Sequence, residues 1–217
     1  MSLVQADRRP VVTLAALYGT GGAIVGQRVA DRLEVEFFDR AITSAIAERT
    51  GLTEHAVGAG DRPKGGVDRL VATLARVSDA RTATGRQVER VGLEEQRLRG
   101  EIDSFMVRAG RAGGVVVGRG GAVVLASLPG VLHVYLDGPQ DGRVAQVMEA
   151  EQVDRRTAER LVTSHDRARR EYVWDFYGVD GDDPSLYHLR LDAVALGIGA
   201  CVELIVLASR YRTGSER

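Results

Sequence analysis

Residues 11–38 constrain this chain more than any other stretch. Residues 11–17 (VVTLAAL) form an almost unbroken apolar run. Such runs suit a strand covered on both faces, as in a parallel sheet. A glycine turn (YGTGG, residues 18–22) follows. Ile24, Val25, Val29, Ala30 and Leu33 then recur at helical spacing. Residues 35–38 read as a second short strand that ends at Asp39. Strand, glycine turn, helix and strand make a βαβ unit with a right-handed crossover.

The rest continues the alternation. Residues 40–49 are helical, with Gly51 as the cap, and 58–66 (GAGDRPKGG) are a loop by composition. From 67 to 112 the chain is polar and helical. Val91, Leu98 and Phe105, with Ile102 and Ala109, form an apolar seam at sevenfold spacing, which suits a helical pair packed on itself or on a second copy. Strands follow at 115–117, running into Gly118–Gly121 (GRGG), and at 131–136, running into Asp137. Helices cover 140–150 and 154–177, a short strand 188–191, and a terminal helix closes the chain. The expected fold is α/β: a three-layer parallel sheet with helices on both faces. It is read as one domain over 1–217, with a helical acceptor-binding or dimer region at 39–112 and lid-like helices at 150–180.

Composition excludes several classes. The 217 residues carry 29 basic and 30 acidic side chains, a net charge of -1, so a basic nucleic-acid polymer binder is not expected. Cys201 alone forms no intrachain disulfide and no cysteine cluster. His55, His133, His165 and His188 lack metal-ligand spacing. No apolar leader opens the chain, so a cytoplasmic location is expected. Residues 191–209 are long enough to span a bilayer, but Asp192 and Glu203 interrupt them, at about 2.5–3.5 kcal/mol for an acid near a span centre. Val194, Ile198, Cys201, Val202 and Ile205 instead mark a helix packed on the sheet or in a dimer interface, and no membrane partner is expected.

In such sheets ligands bind beyond the carboxyl ends of the strands. The glycine turn, Asp39-Arg40, Arg119 and Asp137 all collect there by this reading. A glycine turn before a helix cradles phosphate with its backbone N–H groups. Gly19-Thr20-Gly21 also opens a dinucleotide GxGxxG, and Asp39 lies 18 residues after Gly21, near the ribose-binding distance. Ile24 occupies the third glycine position of that motif. Gly21 and Gly26 have P-loop spacing, but Gln27 and Arg28 stand where Lys and Ser/Thr belong. Phosphate binding, dinucleotide binding and a purely structural turn all remain open on these residues.

Four segments in order resemble the cytidylate kinase-like family, a branch of the P-loop nucleoside monophosphate kinases. They are LYGTGGAIVGQRVADRLEVEFFDRAITSAIAERTGL, VVVGRGGAVVLASLPGVLHVYLDGP, RVAQVMEAEQVDRRTAERLVTSHDRARREYVWDFYG and DDPSLYHLRLDAVALGIGACVELI. Together they cover most of residues 11–207. The resemblance implies transfer of the ATP γ-phosphoryl group, with Mg²⁺ expected, to a nucleoside monophosphate, CMP or dCMP. It places Gly19, Thr20, Gly21 and Gly22 around the ATP phosphates. Asp39, Arg40 and Arg119 fall at the acceptor, and Arg156, Arg160, Arg167 and Arg170 in a lid over the transferring phosphoryl group, with Asp166 among them. Guanidinium forks suit that task because they bind phosphate bidentately and stay charged.

The chain departs from the family turn where Gly22 stands at the lysine position and Ile24 at the Ser/Thr position. Thr20 is the nearest hydroxyl to replace the metal-binding one, and the metal ligands stay unassigned. Lys64 is the sole lysine and lies outside the turn, so arginine must neutralise any phosphate charge. Two further readings therefore stand beside the kinase: a nucleotide- or phosphate-binding module that has lost transfer, and an NAD(P)-dependent oxidoreductase. Plainer roles also exist for single residues. Arg155–Glu159 and Asp166–Arg170 have i,i+4 ion-pair spacing, Asp137 suits a helix cap, and Trp174, Phe176 and Tyr177 suit core packing.

Overall fold

A computed structural model describes residues 9–38, 100, 104, 106–107, 111–118 and 120–213. Contacts divide the chain into one unit of Met1–Phe38 with Met106–Arg217 and another of Asp39–Phe105, and the account below is of the first. Asp39, Arg40, Lys64, Arg119 and nearly all of the 39–112 region lie outside the described residues.

The elements are β1 (Val11–Ala16), α1 (Gly22–Leu33), β2 (Glu36–Phe38), β3 (Gly114–Val117), the short α2 (Gly121–Val124), β4 (Val131–Asp137), α3 (Gln140–Glu151), α4 (Arg155–Tyr177), a 3₁₀ turn (Pro184–Leu186), β5 (Leu189–Asp192) and α5 (Ala193–Thr213). The five strands are all parallel, in the order β2-β3-β1-β4-β5. The apolar run at β1 is explained by its place: β3 flanks it on one side, with Val12 opposite Val115, and β4 on the other, with Val12 opposite Leu132. This order corrects the dinucleotide reading. A dinucleotide-binding sheet runs 3-2-1-4-5-6, with β2 beside β1, whereas here β3 separates them.

One face of the sheet is apolar. Val12 and Leu14 of β1 and Leu132, Val134 and Leu136 of β4 meet Val25, Val29 and Ala30 of α1 and Cys201, Val202 and Ile205 of α5. Alternation sends the other side chains to the opposite face, which is more polar and carries Thr13, His133 and Tyr135. There α2 lies so close to β1 that a Cβ on Gly121 would sit 3.2 Å from Thr13. The terminal helix packs as its pattern predicts. Ala193–Arg212 has the length and composition to cross a membrane, but Cys201, Val202, Ile205 and Val206 are buried in the core. Asp192 caps it, its Oδ1 accepting from the N–H groups of Val194 (3.0 Å) and Ala195 (2.9 Å). Gly197 interrupts it with φ 74° and ψ 163°.

His133 sits within the polar layer, 2.7 Å from the Thr13 hydroxyl. Its own backbone N–H donates to His188 Nδ1 at 2.9 Å. Burial, reinforced by the nearby His188 and Arg212, lowers its pKa to about 4. A depressed histidine pKa contributes stability that is fully present above about 6.5 and is lost as pH falls toward 4. That contribution is roughly 3 kcal/mol at 1.36 kcal/mol per pKa unit. Urea midpoints should therefore fall between pH 6.5 and 4.5, and His133→Gln should flatten that part of the profile. An unchanged profile in the variant would refute the assignment.

Candidate functional site

The turn after the central strand is a compact knot of backbone bonds. Leu17 donates to Leu136 O of β4 (3.0 Å), Thr20 N–H returns to Leu17 O (3.2 Å), and Val25 N–H reaches Gly21 O (2.9 Å). The glycines are required by geometry. Gly19 has φ 86°, and a Cβ there would stand 2.6 Å from the carbonyl oxygen of Arg143. Gly21 has φ 72°, and a Cβ on Gly22 would meet Ala16 Cβ at 2.5 Å. Gly21 is the N-cap of α1; no side chain caps that end and no acid lies in its first turn. The end carries partial positive charge and outward N–H groups, which favour an anion.

Thr20 does not replace the missing metal-binding hydroxyl. It is 1% exposed, and its Oγ1 donates inward to Leu17 O at 2.7 Å. Among the described residues no group of three His, Cys, Asp or Glu side chains could hold a metal ion. The turn thus fits a phosphate, and the described residues form no side-chain cage that would hold a metal ion by itself.

Two buried charged side chains brace the turn. Arg143 of α3 and Asp166 of α4 are ion-paired at 2.7 Å, with side chains 7% and 9% exposed. Arg143 also donates to Tyr18 O (2.9 Å) and Gly138 O (3.0 Å), and Asp166 Oδ1 accepts the Tyr18 N–H (2.9 Å). The Tyr18 ring stacks on His165 at 4.1 Å, and its hydroxyl bonds Glu151. Asp166 therefore does not form the expected i,i+4 pair with Arg170. Arg143 was not among the residues singled out in the sequence.

The lid arginines lie on the outward side of α4. Arg156 is exposed, Arg160 rests on Thr157 Oγ1 (3.2 Å), and Arg167 pairs with Glu171 (2.7 Å). Arg170 is 3.8 Å from Asp182. The Arg155–Glu159 pair forms as its spacing predicts, at 2.8 Å. Arg119 is outside the described residues. Its neighbour Gly118 donates to Leu14 O (2.8 Å), fixing the start of that loop beside β1.

A cleft of about 420 Å³ opens beyond β1, β4 and β5, lined by residues that include Leu17, Pro139, Asp137, Asp182 and Arg190. Asp137, Asp182 and Arg190 are ion-paired there. Arg190 binds Asp137 (2.9 Å), and Asp182 accepts from Tyr135 (2.7 Å) and from Arg169. Burial alone would raise the pKa of Asp182. The Tyr135 hydroxyl and the adjacent Arg169 outweigh it and hold the carboxyl below its usual range. Asp137 is thus an ion-pair partner, and Pro139 takes the N-cap position of α3 instead. Trp174 also departs from expectation. It is 61% exposed, while Phe176 and Tyr177 gather around Tyr172.

A family model described as "Cytidylate kinase-like family" matches residues 11–194. The fold is similar to the crystal structure of an uncharacterized protein from Eubacterium ventriosum ATCC 27560, at 18% identity and TM-score 0.66, covering 94% of this chain and 100% of that one. It is also similar to a gluconokinase from Sinorhizobium meliloti 1021, at 12% identity and TM-score 0.53, covering 97% of this chain and 100% of that one. No curated protein sequence matches the chain.

Proposed function

We propose, from the premise that this chain belongs to the cytidylate kinase-like family, that it transfers the γ-phosphoryl group of ATP to a small-molecule acceptor, a cytidine monophosphate. The observation that carries this reading is the glycine turn. It lies at the carboxyl end of the central strand and opens onto an uncapped helix.

Phosphoryl transfer asks a protein mainly to position two substrates and to stabilise charge on the moving group. Gly19–Gly22 bind the ATP phosphates through backbone N–H groups. Asp39, Arg40 and Arg119 hold the acceptor. Arg156, Arg160, Arg167 and Arg170 approach the transferring group from α4. Arg167 exchanges Glu171 for phosphate readily, because an exposed ion pair is worth little and the fork binds phosphate bidentately. Mg²⁺ carried in with ATP would neutralise phosphate charge.

An ATP-consumption assay with CMP, dCMP, UMP and AMP tests the proposal. Turnover should be fastest with CMP or dCMP, and Arg119→Met should lower kcat/KM on the order of 10²-fold. Folded protein that turns over no acceptor would overturn it.

The inward hydroxyl of Thr20, with Gly22 and Ile24 at the lysine and hydroxyl positions, favours a second reading. In it the turn binds a nucleotide or phosphate without transfer. Calorimetric ATP binding with no turnover would select this reading over the first.

A further inference from the structure

We propose that Arg143 and Asp166 are positioning residues that aim the backbone of the glycine turn at its ligand. The inference rests on the reading above that the turn binds nucleotide phosphate. Both backbone polar groups of Tyr18 are held by this pair: Arg143 takes the carbonyl (2.9 Å) and Asp166 takes the N–H (2.9 Å). In a planar trans peptide the C=O and the following N–H point in opposite directions. Drawing the Tyr18 carbonyl toward Arg143 therefore turns the Gly19 N–H the other way. By the same rule, holding the Tyr18 N–H on Asp166 directs the Leu17 carbonyl away from Asp166, and there it accepts both bonds from Thr20.

The pair sets the turn as a unit. Arg143 Nη1 bridges Tyr18 O and Asp166 Oδ2, so neither side chain can shift alone. Arg143 Nε on Gly138 O ties the same guanidinium to the segment after β4. One half of the brace comes from α3 and the other from α4, the helix that carries the lid arginines. The aim of the amide and the seating of that helix are thereby one event. Lysine could not replace Arg143, because a point-charge ammonium lacks the planar fork that serves carbonyls and carboxylate together.

Two conservative variants test this, Arg143→Lys and Asp166→Asn, read by amide hydrogen exchange and by steady-state kinetics. In Asp166→Asn an amide NH₂ can face the guanidinium, donor against donor. The expected result is faster exchange at the amide of Tyr18, with protection at Leu14, Val134 and Leu136 unchanged. The KM for ATP should rise about tenfold or more, one lost charge-assisted bond being worth at least that, with the KM for the acceptor unchanged. A rise of both KM values in proportion to unfolded protein would assign the pair a merely structural role and overturn the proposal. So would unaltered Tyr18 exchange in both variants. If the unaltered protein binds no ATP, the functional reading fails. The exchange experiment still decides the brace, and inorganic pyrophosphate then serves as the probe of the turn.

Discussion

Alanine at position 19 should remove roughly 2–5 kcal/mol of stability and abolish phosphate binding at the turn. Two independent costs add. A left-handed conformation costs an L-residue about 1–2 kcal/mol, and Gly19 sits at φ 86°. Forcing a methyl group into filled space costs about 1–3 kcal/mol more. The obstacle is the main chain of α3, since the new Cβ would lie 2.6 Å from the Arg143 carbonyl oxygen. No rotamer change relieves such a clash, so either the turn or α3 must move. Gly178→Ala is the control. It has φ 64° but open space around the Cβ, so only the conformational cost applies. Urea unfolding gives the stabilities and calorimetry with ATP gives binding. Equal midpoints for Gly19→Ala and the unaltered chain would refute the geometry.

The second large effect is expected from the buried ion pair. Arg143→Met should cost about 3–5 kcal/mol, because it leaves a carboxylate without its partner in a site closed to water. Asp166→Leu should cost a similar amount. The double variant should cost little more than Arg143→Met alone, since the second change removes the stranded charge. It will not return to the original stability. The carbonyls of Tyr18 and Gly138 lose their donor, at about 1–3 kcal/mol for each buried group left unsatisfied. Urea unfolding of the four proteins closes this cycle. Strictly additive costs would mean that the two side chains act separately.

These two predictions mark what the sequence made legible. The β1–turn–α1–β2 unit was readable because strand and helix periodicities change sharply at the glycines, and the structure reproduces those bounds within a residue or two. The brace was not readable as a pair, because Arg143 and Asp166 lie on different helices. Asp166 also had a local partner in Arg170 that satisfied the spacing rule. A signal was nonetheless present. Ala158, Val162, Asp166 and Val173 form the buried stripe of α4, and an acid on such a stripe demands an opposite charge. Arg169 was passed over for a related reason. It sits between arginines that face solvent, and only the position of Tyr135 and Asp182 shows that it turns inward. Trp174 misled in the opposite sense, since aromatic character alone does not say which side of a helix is covered.

The strand order has a consequence for the chain as it is made. β1 is the centre of the sheet, yet it pairs only with β3, starting at Gly114, and with β4, starting at Val131. At synthesis rates of roughly 5–20 residues per second, β1 waits about 5–20 s for its first neighbour. Through that interval Val12 and Leu14, which finish among the most deeply enclosed residues, belong to an apolar segment with two bare edges, a template for aggregation. The same placement that puts the glycine turn at the middle of the sheet leaves its strand without a partner until about half of the chain has been made.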